Sequence, residues 1–241
     1  MSTFKTIFSR YEKKYVITKQ QHDALMRLIG DRLCDDEYGR STVCNIYFDT
    51  PDYRLIRESI EKPVFKEKLR IRVYNIPRAD STAFVEIKRK YNGIVYKRRV
   101  SMRYDEAVAW LCRDEEPPYD AQIPQEINYC RACYGTLQPK VSLFYDRKAY
   151  VGRDDDTLRI TFDSNIRYRA ERLDLSLGDG GCERIDDGNI VMEIKCAAAF
   201  PLWLCEALGS LGIFPATFSK YGIAYQTMMQ PQAEKTALEI A

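Results

Sequence analysis

Residues 66–75 read KEKLRIRVYN, 82–90 read TAFVEIKRK and 93–101 read GIVYKRRVS. In each stretch apolar and charged residues alternate, the period of a strand whose two faces meet different surroundings. Leu69, Ile71 and Val73 fall on one side of the first stretch, with Arg70 and Arg72 on the other. Glu86, Lys88 and Lys90 share a face of the second, and Lys97 and Arg99 a face of the third. Asn92-Gly93 between the second and third is a two-residue hairpin signal. The three stretches are therefore expected to form an antiparallel meander, apolar on one face and mostly basic on the other.

The pattern repeats outward from this centre. Strands are expected at 10–17, 43–49, 139–151, 157–163, 166–172 and 189–196. Arg147 shares a face with Tyr145, Leu158 and Ile160 flank Arg159, and Glu193 and Lys195 lie opposite Met192 and Ile194. Helices are expected at 19–33 with Thr18 as N-cap, around 52–59 after the turn Thr50-Pro51-Asp52, and at 105–113, 124–134, 201–211 and 219–229. GDGG at 178–181 reads as a turn. The fold class is α+β: about eight mostly antiparallel strands in a β-barrel or strongly curved sheet, with helices packed outside. One domain is expected over 1–230, with 231–241 a peripheral or disordered tail.

Composition narrows the function. There are 37 Lys+Arg against 35 Asp+Glu, a net charge of +2, too balanced for a chain that coats nucleic acid. The single His, His22, rules out a His-rich metal site and any mechanism needing two imidazoles; it reads as a solvated surface residue. The start MSTFKTIFSRYEKKYV lacks the apolar core of a signal peptide, and no apolar run is long enough to span a membrane. The eight Cys accordingly read as reduced packing residues of a cytoplasmic protein. Cys130 and Cys133 form a CxxC without the second ligand pair that a zinc site needs.

The basic strand faces carry the functional signal. A wet outer face mixes acids and bases, whereas here cations recur at i, i+2. Lining a barrel lumen, they would be costly without an anion, and phosphate chains suit both Arg forks and Lys ammoniums. The acidic positions Glu86 and Glu193 suit a divalent cation that bridges phosphates. GxxxxGK[ST] is absent, as is GxGxxG after a strand, so phosphate is expected to meet side chains on strands rather than a glycine-rich loop.

Nine short pieces in order resemble a known family: RYEKKY near the start, YFDTPD at 47–52, LRIR at 69–72, VEIKRK at 85–90, VYKRRV at 95–100, YDRKAY at 145–150, LRITFD at 158–163, VMEIK at 191–195 and FSKY at 218–221. The sequence resembles the VTC domain, the polyphosphate polymerase branch of the triphosphate tunnel metalloenzyme (CYTH-like) superfamily. The resemblance implies an eight-stranded antiparallel tunnel that binds ATP and inorganic polyphosphate with Mn²⁺ or Mg²⁺. It also implies transfer of the ATP γ-phosphate onto a growing polyphosphate chain. By position it assigns Lys220, Arg70, Arg72 and Lys88 to catalysis. Lys14, Lys97, Arg147 and Arg159 become phosphate-binding, with Arg99 and Lys195 beside them. Glu193 takes the place of the metal-binding glutamate, and Glu12 is a second candidate ligand; Asp163 is expected to be structural.

Two departures qualify the resemblance. The eukaryotic polymerase carries a regulatory domain and a membrane anchor that the sequence does not show, so product export is expected to need a separate membrane partner protein. RYEKKY has fewer acids than the ExExK signature of the hydrolytic branch, which favours a polymerase. The alternatives are a tripolyphosphatase or nucleoside triphosphatase of the same superfamily, and a non-catalytic module binding polyphosphate or an inositol phosphate. No nucleic-acid partner is expected.

Overall fold

A computed structural model describes residues 11–61, 63–92, 94–197 and 199–240. The strands are β1 (Tyr11–Ile17), β2 (Leu33–Asp49), β3 (Phe65–Tyr74), β4 (Thr82–Tyr91), β5 (Ile94–Arg103), β6 (Gln138–Gly152), β7 (Arg159–Arg169), β8 (Glu183–Arg184) and β9 (Ile190–Cys196). The helices are α1 (Lys19–Ile29), α2 (Arg54–Ile60), α3 (Tyr104–Cys112), α4 (Gln122–Tyr134), α5 (Leu202–Ser210) and α6 (Lys220–Ile240). The fold is α+β, and eight strands hydrogen-bond in the order β1-β9-β7-β6-β2-β3-β4-β5, with the short β8 on β7.

The chain divides into two compact units. One comprises residues up to 41, 146–165 and 186–218. There β9 pairs antiparallel with β1 and with β7. Tyr15 and Ile17, Ile160 and Phe162, and Met192, Ile194 and Cys196 alternate into one core. Leu25 and Ile29 of α1 and Leu204 and Leu208 of α5 close that core. Thr18 caps α1 through a reciprocal capping box with Gln21. The helix ends at Ile29 rather than residue 33, and a 3₁₀ turn at Gly30–Arg32 returns the chain to β2. His22 is half-buried, its ring edge-on to Phe162 at 4.7 Å between centroids.

The second unit comprises residues 42–145, 166–185 and from 219 onward. β2, β3, β4 and β5 pair antiparallel in sequence order. Leu69, Ile71, Val73, Val85 and Ile87 pack against Ala107, Trp110 and Leu111 of α3 and Ile127 and Cys130 of α4. Trp110 is fully buried and donates its indole N–H to Asn128 Oδ1 at 2.9 Å. Tyr91 pairs with Ile94, so β4 and β5 join by a two-residue turn in which Asn92 has φ 45°. Gly93, the other residue of that expected turn, lies outside the described residues, as does Arg10 before β1.

Three further expected boundaries differ. β2 begins at Leu33 rather than residue 43, because the polar stretch 34–42 lacks an apolar alternation yet pairs as strand. The expected strands 157–163 and 166–172 are the single β7, which passes through Asn165 at φ 50°. Helix α6 continues through Ile240, past the expected end at 229.

Candidate functional site

The alternation of β3, β4 and β5 puts every second residue on the face opposite the core. On that face of the second unit, antiparallel register aligns the side chains into rows. Asn45, Arg72 and Phe84 form one, Tyr47, Arg70, Glu86 and Arg99 the next, and Lys68, Lys88 and Lys97 the third. Opposed like charges destabilise a sheet pair. Three lysines nevertheless stand in register here.

Glu86 organises the cations around it. Its carboxylate is 2% exposed. Arg70 donates from Nε at 2.7 Å, Lys97 Nζ stands at 2.8 Å and Arg72 Nε at 3.9 Å. Burial pushes the Glu86 carboxyl up, but Arg70, Arg72 and Lys97 outweigh it and hold the pKa at about 2. Glu86 is thus an ionised carboxylate engaged by three cations. Arg70 also donates to the Tyr47 hydroxyl at 3.0 Å, and Arg72 to Asn45 Oδ1 at 3.0 Å and the Tyr145 hydroxyl at 3.2 Å. Burial raises the Tyr47 phenol, and Arg70, Arg72 and Lys68 together overcome it, leaving the pKa at about 8. Lys97 is lowered, first by burial and then by Arg70 and Arg72, against the pull of Glu86.

Helix α6 brings Lys220 to this unit's cations. Lys220 Nζ lies 4.6 Å from the centroid of the Tyr145 ring, a cation–π contact. The residue before it, Ser219, accepts from Lys68 Nζ at 3.0 Å and from the Gly222 amide at 3.1 Å. Tyr221 stacks on Tyr47 with centroids 4.6 Å apart. The Tyr221 hydroxyl donates to Asp49 Oδ2 at 2.9 Å. Asp49 in turn accepts the amides of Thr50, Leu55 and Ile56 at 2.9, 2.8 and 3.0 Å, which caps α2. Tyr47, Asp49, Lys68, Tyr145, Ser219 and Tyr221 are absent from the expected site. Lys68 carried the i, i+2 step to Arg70, and the other five lay within the matching pieces YFDTPD, YDRKAY and FSKY with no role assigned to them.

The other unit holds its own charged face. Register places Lys14, Glu193 and Thr161 in one row and Glu12, Lys195 and Arg159 in the next. Glu193 is engaged by Lys195 Nζ at 2.5 Å, with Lys14 Nζ at 4.0 Å. Burial raises its carboxyl, but Lys195, Lys14 and Arg147 bring the pKa to about 2. Arg147 makes a two-pronged pair with buried Asp163 at 2.7 and 2.8 Å. Arg159 pairs with Asp36 at 2.9 Å rather than with Glu193. Lys14, Glu193, Glu12 and Lys195 are therefore neighbours, while Arg147 and Arg159 are each held by an aspartate. Arg70, Arg72, Lys88, Lys97 and Arg99 share the face of the second unit.

The VTC domain family matches residues 9–229.

The chain belongs to this family.

Two solved structures share the fold of this VTC domain. One is a candidate adenylate cyclase from Bacillus halodurans, 15% identical, TM-score 0.51, covering 86% of this chain and 92% of its own. The other is HpAC1 from Hippeastrum, described as a candidate adenylyl cyclase with a dominant triphosphatase activity. It is 15% identical, TM-score 0.54, and covers 90% of this chain and 95% of its own. None of the curated proteins compared with the chain matches it.

The acidic residues of the VTC domain bear on a metal. Among the described residues no three His, Cys, Asp or Glu side chains cluster as ligands. Glu193 and Glu12 nevertheless converge on one cationic group, the Lys195 ammonium, at 2.5 and 3.7 Å. Oxygen donors from one or two carboxylates, completed by water and phosphate oxygens, are the set that Mg²⁺ accepts and that also suits Mn²⁺. The residues fit such an ion with Lys195 displaced. No helix among the described residues is long and apolar enough to cross a membrane.

Proposed function

We propose that this VTC domain is a metal-dependent polyphosphate polymerase that moves the γ-phosphate of ATP onto the end of an inorganic polyphosphate chain. The observation that carries the reading is the register of Lys68, Lys88 and Lys97 beside Arg70, Arg72 and Arg99, with Glu86 the lone acid among them. Phosphoryl transfer needs positioning and neutralised charge rather than covalent help. In this reading Arg70 and Arg72 spread charge over the triphosphate oxygens, each held in direction by Glu86, Tyr47 or Asn45. Lys88, Lys97 and Arg99 extend that charge along the strands. Lys220 faces the transferring phosphate and offsets the charge that develops there.

In the same reading Lys14, Lys195, Arg147 and Arg159 are the phosphate-binding cations of the first unit's own charged face. Glu193, with Glu12, holds a Mn²⁺ or Mg²⁺ ion, whose chemistry is to neutralise phosphate oxygens. The acceptor is an ionised phosphate oxygen, so no general base is needed, which suits a chain whose single His packs on Phe162.

The test is incubation of the protein with ATP and Mn²⁺, with products separated on a gel. Long anionic chains support the reading. Free phosphate without chains makes the protein a triphosphatase, and tight phosphate binding without turnover makes it a binding module.

A further inference from the structure

The face of β3–β5 that carries Arg70, Glu86 and Lys88 is not charged throughout. Among the described residues of these three strands, Tyr74 and Phe84 are the aromatic residues on it. Phe65, Tyr91 and Tyr96 alternate onto the other face. Phe84 sits in the row of Asn45 and Arg72, and Tyr74 ends β3 one row further from the β4–β5 turn. The two ring centroids are 6.1 Å apart and the planes meet at 79°, so the rings form a corner. Tyr74 is 37% exposed and Phe84 half-buried, and the core of this unit lies on the opposite face of the strands. Arg99 spans the border between charge and ring. Its backbone pairs with Glu86, and its guanidinium carbon lies 4.7 Å from the centroid of Phe84.

We propose that Tyr74 and Phe84, with Arg99 at their edge, form the subsite for the base of the nucleoside triphosphate. The inference rests on the reading of this face as the triphosphate site and adds which end of it the nucleoside takes. Lys68, bonded to Ser219 beside Lys220, marks the end where the transferring phosphate lies. Arg72, whose row holds Phe84, is four residues from Lys68 and Tyr74 is six, about 13–20 Å along β3. That is the span of an extended nucleoside triphosphate from its last phosphate to its base. In the other direction the face continues as Lys66, Lys90 and Val95, with no ring for a base to meet. A base is flat and uncharged, so aromatic faces and a guanidinium plane hold it where ammonium groups do not. Ser101, exposed and opposite Phe84 on β5, places a hydroxyl in the same row. Inorganic polyphosphate has no base and gains nothing from the two rings, so the pair separates the nucleotide from the chain.

The experiment compares wild-type protein with Tyr74→Leu and Phe84→Leu by titration calorimetry at one ionic strength. The two probes are the non-hydrolysable β,γ-imido analogue of ATP and tripolyphosphate. The control is Tyr91→Leu, which removes an exposed ring from the other face of β4. Each site variant is expected to bind the nucleotide analogue about tenfold more weakly, the loss of one stacking partner, and tripolyphosphate within about twofold of wild type. Tyr91→Leu is expected to change neither. Tyr74→Phe, which keeps the ring, is expected to bind both probes as wild type does. Tyr74→Leu alone carries the test should Phe84→Leu fold poorly. Equal weakening for both probes, weakening for neither, or an equal loss in Tyr91→Leu overturns the subsite. Wild-type protein that binds tripolyphosphate but not the nucleotide analogue overturns the subsite alone. Wild-type protein that binds neither probe overturns the functional reading with it.

Discussion

The hydroxyl of Tyr221 donates to Asp49 Oδ2 at 2.9 Å and ties the first turn of α6 to the cap of α2. Asp49 is fully buried and, besides Tyr221, holds three backbone amides. The bond therefore fixes where Lys220 and Ser219 stand. Tyr221→Phe keeps the stack on Tyr47 but removes one donor from a buried carboxylate. It is expected to lower stability by about 1–3 kcal/mol. Denaturant unfolding checks the loss. Turnover should fall more than tripolyphosphate affinity, because the change displaces Lys220 and leaves Arg70 untouched.

Removal of Glu86 should be felt in stability and relieved by ligand. Glu86→Gln leaves Arg70, Arg72 and Lys97 without their buried counter-charge, an effect on the order of 3–5 kcal/mol. Tripolyphosphate should raise the melting temperature of this variant more than that of wild type, since the anion replaces the lost charge. The wild-type pH profile follows from the same group. Its carboxyl lies at about 2 against an ordinary 4.5, so the contribution is complete above 4.5 and lost as pH falls toward 2. Glu86→Gln should flatten that acid limb.

Tyr47 should report phosphate directly. Its phenol lies at about 8 because Arg70, Arg72 and Lys68 favour the phenolate. A phosphate on the same cations competes with that negative charge. Ultraviolet titration should show one tyrosine ionising near 8 that shifts upward when tripolyphosphate is added and is missing in Tyr47→Phe. Affinity for tripolyphosphate should fall in wild type as pH rises through 8, and fall less in Tyr47→Phe.

Lys220 and the ring beneath it can be separated. Lys220→Met should lower kcat by roughly 100-fold, as loss of one charge-stabilising donor does elsewhere. Tyr145→Phe keeps the ring 4.6 Å from Nζ but removes the hydroxyl that Arg72 bonds at 3.2 Å, so it should lower activity less than Tyr145→Leu. Tyr145→Leu removes the ring and should lose about 1 kcal/mol of that support. Steady-state kinetics on the three variants checks the order.

The strands that carry the site announce themselves because one face must be apolar. Leu69, Ile71, Val85 and Ile87 are core, so Arg70, Glu86 and Lys88 between them are legible by alternation alone. The same rule reads Lys14 against Tyr15 and Glu193 against Met192 and Ile194. It fails where a strand has no apolar alternation: 34–42 reads CDDEYGRST and conceals Asp36, the partner of Arg159. It also fails where a site residue has the chemistry of a core or a turn. Tyr47 and Tyr221 look like packing aromatics, and Asp49 like part of the turn it precedes. Their pairing depends on contacts about 170 positions apart (|i−j| 172 for Tyr221 and Asp49), which no local pattern encodes.

The fate of the γ-phosphate tests the central claim most directly. γ-Labelled ATP is incubated with wild-type protein and Mn²⁺, and the label is followed on a gel. The account predicts label in long polyphosphate chains, with none in Lys220→Met over the same period. Label released as free orthophosphate, or left on ATP, would contradict it.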